Sequence, residues 1–364
     1  SCCFGSSVVY PLAARTQHLR RWGQPSTVAP LACCSRLGSM AAPQSAKAGE
    51  PAGARRFLAE VAPPLDGSSH KGQGGRIGIL GGSADYTGAP FYAGLSSLRA
   101  GAELVYVLTA QEAALPLKTY SPELMVTPVY SGEGEAENIA KAVEDKLERL
   151  HALVVGNGLG RQPTVMEGAL RSIESACAAG VPVVVDADGV QAVITRLSAV
   201  QGRPSVVLTP NIMEFRRLCD AAGVDRAVVE GPRQKAVEAL SSKLGGTTVL
   251  LKGPEDMVAA SGQRLSGSCG VEGAPRRSGG LGDILAGMIG TLLGWLRPGA
   301  DGIGESGWHA ADAALVGCLL TRSSCRSAFA RRKRAMTAPD VMEHIGEVFE
   351  ELCPASKKAK TGDT

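Results

Sequence analysis

Val181-Pro182-Val183-Val184-Val185, running into Asp186-Ala187-Asp188-Gly189, decides the fold. A short run of β-branched residues with no polar face reads as a strand buried on both sides. Acids and a glycine at its end mark the turn into the next element. Outward from this point the pattern alternates. Toward the N-terminus lie strands at Arg76–Leu80, Val105–Leu108 and Ala152–Val155, separated by helices at Ala89–Ala100 and Ala136–Leu150, with a further helix at Val165–Ala179. Toward the C-terminus come a strand at Val206–Leu208, helices at Asn211–Ala222 and Gln234–Leu244, and a strand at Thr247–Leu251. Three helices close the body: Gly282–Leu296, Ser306–Ala330 and Thr337–Leu352. Alternation of this kind predicts an α/β fold with a mostly parallel sheet covered by helices on both faces. Ligands in such folds collect at the carboxyl ends of the strands. Gly81-Gly82, Gly156 to Gly160, Asp186 to Gly189, Pro210-Asn211 and Lys252-Gly253 all fall there. With no internal repeat and no long linker, residues 51–353 read as one domain.

Composition narrows the function classes. The chain has 364 residues, and its net charge of +3 is too small to argue for a nucleic-acid or membrane-surface partner. Aromatic residues make up 4%, which argues against a base-stacking surface. The most apolar stretch, Ile284–Leu296, is too short for a membrane helix. Ten cysteines include no CxxC pair, so the body reads as a reduced-compartment protein without a cysteine metal site.

Residues 1–50 contain no Asp or Glu before Glu50, while Arg15, Arg20, Arg21, Arg36 and Lys47 lie among Ser and Ala. That composition reads as an organellar transit peptide, mitochondrial or chloroplast. A disordered upstream region is the alternative, with Met40 as the start and a cytoplasmic protein as the consequence. Residues 354–364 carry Lys357, Lys358 and Lys360 and read as a frayed tail.

Gly279-Gly280-Leu281-Gly282-Asp283 opens the apolar helix that continues through Gly290. Unpaired N–H groups at a helix start make a seat for phosphate, and glycine lets an anion approach closely. An acid in that first turn is explained either as a cap or as a base taking a proton from a hydroxyl while the N–H groups hold a transferring phosphoryl. Gly156-Asn157-Gly158-Leu159-Gly160-Arg161 is a second glycine-rich turn, matching neither the dinucleotide fingerprint nor a P-loop. Lys252 ends a strand, either reaching for phosphate or lying on the surface. Asn211 and Glu214 have capping-box spacing. Asp186 and Asp188 read either as helix caps or as metal ligands.

Taken in order, these words resemble the ATP- or ADP-dependent NAD(P)H-hydrate dehydratases of the ribokinase-like superfamily. The words are His70-Lys71-Gly72-Gln73, Arg76-Ile77-Gly78-Ile79, Tyr86-Thr87-Gly88-Ala89-Pro90, Ser121-Pro122-Glu123-Leu124 and Gly156 to Arg161. They continue with Asp186 to Gly189, Leu208 to Asn211 with Glu214-Phe215, Lys252-Gly253, and Arg276 to Asp283. The resemblance implies a ribokinase-like three-layer sandwich and repair of NADHX and NADPHX to NADH and NADPH with ATP (or ADP) and Mg²⁺. It also implies a separate epimerase for the other epimer and is compatible with a homo-oligomer. Carried over, it places the hydrated nucleotide at Gly158, Asn211, Ile212, Met213, Glu214, Phe215, Arg216, Arg217 and Asp283. ATP would lie at Lys252, Gly253, Pro254, Glu255 and Asp256, and at Gly273, Ala274, Pro275, Arg276, Arg277, Ser278, Gly279, Gly280, Leu281 and Gly282. Asp283 would face the reacting hydroxyl as the catalytic base, a role for which a carboxylate of ordinary basicity suffices if proton transfer is late.

Two positions depart from the family pattern. Asn157 stands where the family usually has Pro, which implies a less rigid loop. Leu281 stands where a polar or small residue is usual, harmless if the backbone N–H does the work. The rival readings are a small-molecule kinase of the same superfamily and a nucleotide-binding sensor without turnover.

Overall fold

Runs of valine and leucine with no polar face do become the strands at the middle of the sheet, and every residue of Ala152–Val155, Val183–Val185 and Val206–Leu208 is buried. The computed structural model describes residues 48–67, 72–131, 136–260, 262–265 and 267–354. Nearly all of the leader, the tail beyond Pro354, and His70 and Lys71 lie outside the described residues.

In chain order the strands are β1 (Arg76–Leu80), β2 (Leu104–Ala110), β3 (Leu124–Tyr130), β4 (Ala152–Val155), β5 (Val183–Val185), β6 (Val206–Leu208), β7 (Thr248–Leu251), β8 (Asp256–Ala259) and β9 (Ser268–Cys269). The helices are α1 (Ala54–Val61), α2 (Gly88–Arg99), α3 (Gln111–Tyr120), α4 (Ala136–Leu147), α5 (Pro163–Ala178), α6 (Asp188–Thr195) and α7 (Ile212–Ala222). They continue with α8 (Arg226–Val229), α9 (Arg233–Lys243), α10 (Leu281–Leu296), α11 (Ala310–Arg332), α12 (Ala338–Glu343) and α13 (Ile345–Leu352).

The strands form one sheet in the order β3-β2-β1-β4-β5-β6-β7-β8-β9. Pairings from β3 through β7 are parallel, and β8 and β9 add an antiparallel edge. The chain winds outward from β1 to β3, then returns to β4 on the other side of β1. That reversal puts the topological switch point between β1 and β4, where a crevice opens beyond the carboxyl ends of the strands. Register then fixes which residues meet there. Leu80 pairs with Val155, Val155 with Val185, and Val185 with Leu208. Gly81, Gly156, Asp186 and Thr209 therefore follow in one row across the sheet edge.

Helices cover both faces. α10 packs on β1, β4 and β5 between α2 and α11, while α4, α5, α6, α7 and α9 pack in sequence on the other face. α10 lies very close to its neighbours. A Cβ on Gly287 would sit 2.1 Å from the Ala93 carbonyl oxygen, and one on Gly290 would sit 2.7 Å from a Val154 methyl. Its Ile284, Met288, Ile289, Leu292 and Leu293 are fully buried, each contributing about 1.5–3 kcal/mol of transfer free energy. The helix is thus a fixed platform, with its N-terminus over the carboxyl end of β5.

Most expected boundaries fall within a few residues of the observed ones, with larger differences elsewhere. The helix expected from Ser306 begins at Ala310, because the His309 ring accepts the Ala311 N–H and Asp312 accepts the His309 N–H. The segment expected as one helix over Thr337–Leu352 is two, broken at His344. α1, α3, α6, α8, β3 and the β8–β9 hairpin add elements that the pattern did not register.

Candidate active site

The turn after β4 passes so close to the turn after β5 that only glycine fits at its first position. Gly156 has φ +118°, and a Cβ there would lie 1.9 Å from the Asp186 carbonyl oxygen. This contact delivers the next residue, Asn157, into the interior, where it is completely buried. Asn157 Nδ2 donates to Asp283 Oδ1 at 2.7 Å and to Asp186 Oδ2 at 3.1 Å. Asp186 Oδ1 in turn accepts from Thr209 Oγ1 at 2.7 Å and from Lys252 Nζ at 2.6 Å. Four turns that end β4, β5, β6 and β7 thus meet the first turn of α10. Ala187, between the two acids, has φ +48°, a strained value for a residue with a Cβ. Its strain turns Asp188 away from Asp186, so that Asp188 accepts from the Gly160 N–H at 3.0 Å and from Arg161 at 3.3 Å.

Asp283 is not the helix cap. The N-cap is Gly280, in the left-handed region at φ +91°, with no side-chain cap hydrogen bond. Burial pushes the Asp283 carboxyl up to about 7, the Asp186 charge adds to that rise, and the Asn157 hydrogen bond and Lys252 oppose it. A near-neutral pKa in a cleft is matched to proton transfer at physiological pH. Burial works against the Lys252 ammonium, but the charge and hydrogen bond of Asp186, with the charges of Glu214 and Asp283, together outweigh it and hold the pKa above the usual lysine range. Glu214 is raised by burial despite its capping role. Neither of the acids after β5 caps α6, whose N-cap Ala187 makes no side-chain bond.

Beside this cluster is a cavity of about 670 Å³ beyond the ends of β1, β2, β4 and β5. Gly158, Tyr86, Tyr130 and Arg161 line it, with carboxylates from Asp85, Glu112 and Asp188. On the other side, the loop after β7 is held from behind. Arg322 of α11 donates to Asp256 Oδ2 at 2.6 Å, to the Gly253 carbonyl at 2.7 Å and to the Val271 carbonyl at 2.9 Å. Asp256 Oδ1 accepts the Gly253 N–H at 2.9 Å. The segment leading into α10 is tied by Arg276 Nε to the Met336 carbonyl at 2.6 Å, and Ser278 Oγ is buried with no partner among the described residues. An unpaired hydroxyl next to a glycine helix start is what a phosphate-bearing ligand would satisfy.

Residues 77–347 match the family model described as NAD(P)H-hydrate dehydratase. The chain belongs to that family. Relatives include the ATP-dependent (S)-NAD(P)H-hydrate dehydratase of Bos taurus, 42% identical over 302 residues covering 82% of this chain and 89% of the relative. An ATP-dependent (S)-NAD(P)H-hydrate dehydratase of Puccinia graminis is 40% identical over 311 residues, covering 80% of this chain and 88% of the relative. Among solved structures, the ADP/ATP-dependent NAD(P)H-hydrate dehydratase of Bacillus subtilis, co-crystallized with ATP/Mg²⁺, aligns with a TM-score of 0.62 at 23% identity, over 82% of this chain and 97% of that one. A ribokinase-like superfamily protein of Enterococcus faecalis aligns at 0.64 and 20% identity, over 82% and 95%. The fold is therefore the ribokinase-like sandwich expected from the sequence.

Within this NAD(P)H-hydrate dehydratase fold, the residues expected to hold the hydrated nucleotide divide. Gly158 lines the cavity, and Asn211, Ile212 and Met213 are exposed at the start of α7. Asn211 Oδ1 accepts the Met213 and Glu214 N–H groups while Glu214 accepts the Asn211 N–H, so the capping box is real. Phe215 is in the hydrophobic core, Arg216 is exposed, and Arg217 reaches Gln191 at 3.1 Å. Of the residues expected around ATP, Lys252 and Gly279 through Gly282 gather at the α10 start, and the Asp256 carboxylate is spent on Arg322. Asp186, read from the sequence as a helix cap or metal ligand, and Thr209, given no role of its own, are parts of the cluster, and Asn157 was noted only as a departure from pattern. Their signal was position, since each lies within two residues of the end of a strand of the parallel sheet.

Proposed function

We propose that this chain converts (S)-NADHX and (S)-NADPHX back to NADH and NADPH at the expense of ATP, with Asp283 as the base. One observation carries the assignment of roles: the Asp283 carboxyl, in the first turn of a glycine-started helix, is joined through the Asn157 amide to Asp186, the carboxylate that holds Lys252. In the ionised form, Asp283 takes the proton of the C6 hydroxyl as that oxygen attacks the terminal phosphorus of ATP. The new O–P bond forms as the bond to the β-phosphate oxygen breaks, and ADP leaves. The N–H groups around Gly279–Gly282 stabilise charge on the transferring phosphoryl. Lys252 supplies positive charge on the same side. The ring nitrogen lone pair then expels phosphate by breaking the C6–O bond. Loss of a proton from C5 restores the dihydronicotinamide.

No group of three or more His, Cys, Asp or Glu side chains that could cage a metal exists among the described residues. Mg²⁺ would therefore enter with the nucleotide, held mainly by phosphate oxygens, and would neutralise their charge. The cavity accepts one epimer in this reading, and a separate epimerase supplies it from the other.

The test uses NADHX and Mg²⁺ with ATP or, in parallel, ADP, following absorbance of the regenerated dihydronicotinamide. Recovery with ATP that disappears in Asp283→Asn supports the assignment. A stable phosphorylated alcohol as end product would instead favour a kinase of this fold. No turnover by folded protein with either nucleotide would favour a sensor.

A further inference from the structure

The geometry points to Asn157 as a positioning residue that sets the rotamer and proton affinity of Asp283 by clamping it to the anchored carboxylate of Asp186. This rests on the assignment of Asp283 as the base. While Asp283 is ionised, Asn157 cannot turn its amide over. Both N–H donors of Nδ2 are used, one on each carboxylate, and the reversed amide would set its oxygen against two carboxylate oxygens. Its backbone is equally fixed, since its carbonyl accepts the Gly82 N–H at 3.0 Å on the exit of β1. The far end of the clamp is rigid as well, because Asp186 is held by Thr209 and Lys252 besides Asn157. One hand of the amide is thus anchored, leaving the other to fix Oδ1 of Asp283.

The charged groups around Asp283 are Asp186 from the turn after β5 and Lys252 from the turn after β7, with Glu214 of α7 acting on Lys252. Asn157 is the neutral member of the set, and the one whose donor bonds Asp283 directly. A donor to the ionised form favours ionisation, so its loss raises the proton affinity of the carboxyl. Asn157 Oδ1, buried with no partner among the described residues, makes the residue expensive to keep for packing alone.

Two variants test this. Asn157→Ala removes the donor without adding bulk, and Asn157→Asp keeps the shape while substituting a third acid. Asp283 is titrated through its carboxyl carbon by NMR in wild type and variants, with Asp283→Asn providing the assignment. The pH dependence of kcat is measured beside it. Removing the donor should raise the Asp283 titration and the acid limb of kcat together by about one unit. That shift lowers kcat near neutral pH by about fivefold, and Asn157→Asp should shift the limb further in the same direction. KM for ATP should stay within about twofold, because Asn157 is not among the residues expected around ATP and Thr209 and Lys252 still hold Asp186 without it. An unmoved titration in either folded variant, or a loss confined to KM or thermal stability, would overturn the inference. Wild type without ATP-dependent turnover would instead sink the assignment of Asp283 as base, while the NMR titration still decides whether Asn157 tunes it.

Discussion

Two carboxylates flank the loop after β7, and the fold treats them in opposite ways. Asp256 is buried against Arg322, whose other donors cover the carbonyls of Gly253 and Val271, so every group in that cluster has a partner. Asp283 is half-buried beside a second carboxylate, with a single amide donor from another side chain and a lysine already engaged elsewhere. A saturated pair fixes a loop, whereas an under-partnered acid keeps a proton exchangeable near neutral pH. Where the chain needs a scaffold it completes the hydrogen bonding, and where it needs a base it withholds some.

The comparison breaks most severely if the two acids trade consequences. Arg322→Leu strands the Asp256 charge in the interior and should cost about 3–5 kcal/mol in denaturant unfolding, with any kinetic loss falling on KM for ATP, through the loop it pins, rather than on kcat. Asp283→Asn should do the reverse, lowering kcat by about 10²–10⁴-fold in the ATP-dependent recovery assay while the protein stays folded. It should even stabilise. A folded-state pKa near 7 lies above the unfolded value, so the native state holds the proton longer, and stability falls as pH rises from about 4 to about 7. Removing the acid relieves that penalty, and thermal melts near pH 8 should show Asp283→Asn more stable by about 1–3 kcal/mol, a gain that shrinks toward about pH 4. A loss of stability at the higher pH would contradict the burial argument. The smallest effect belongs to Leu281. If the α10 start binds phosphate through its backbone, Leu281→Thr should change KM for ATP by less than about threefold. A larger change would mean that the side chain takes part.

Local pattern carried most of the fold. β-branched runs marked the central strands, and their register alone would have lined up Gly81, Gly156, Asp186 and Thr209. β3 escaped because Pro128 interrupts it, which is tolerated only because β3 is at the sheet edge and needs no ladder hydrogen bond on its outer side. α3 escaped for a similar reason, having Pro116 within it. In the site, the glycines and Asp283 were legible because a helix start is a local feature. The contacts of Asn157 were not, since its partners Asp186 and Asp283 are 29 and 126 residues away and nothing in the neighbouring sequence reports such distances. The residue that the sequence offered only as a departure from pattern is a buried amide joining two acids. Lys252 was ambiguous for the same reason, because its pairing with Asp186 spans 66 residues.

The most direct test of the account is kcat against pH for the wild-type protein at saturating ATP and NADHX, with Asp283→Asn as control. The account predicts that kcat rises with pH through a single ionisation near 7, and that the residual rate of Asp283→Asn lacks this limb. A flat profile from about pH 5 to about pH 8, or the same limb persisting in Asp283→Asn, would show that the proton is taken by another group.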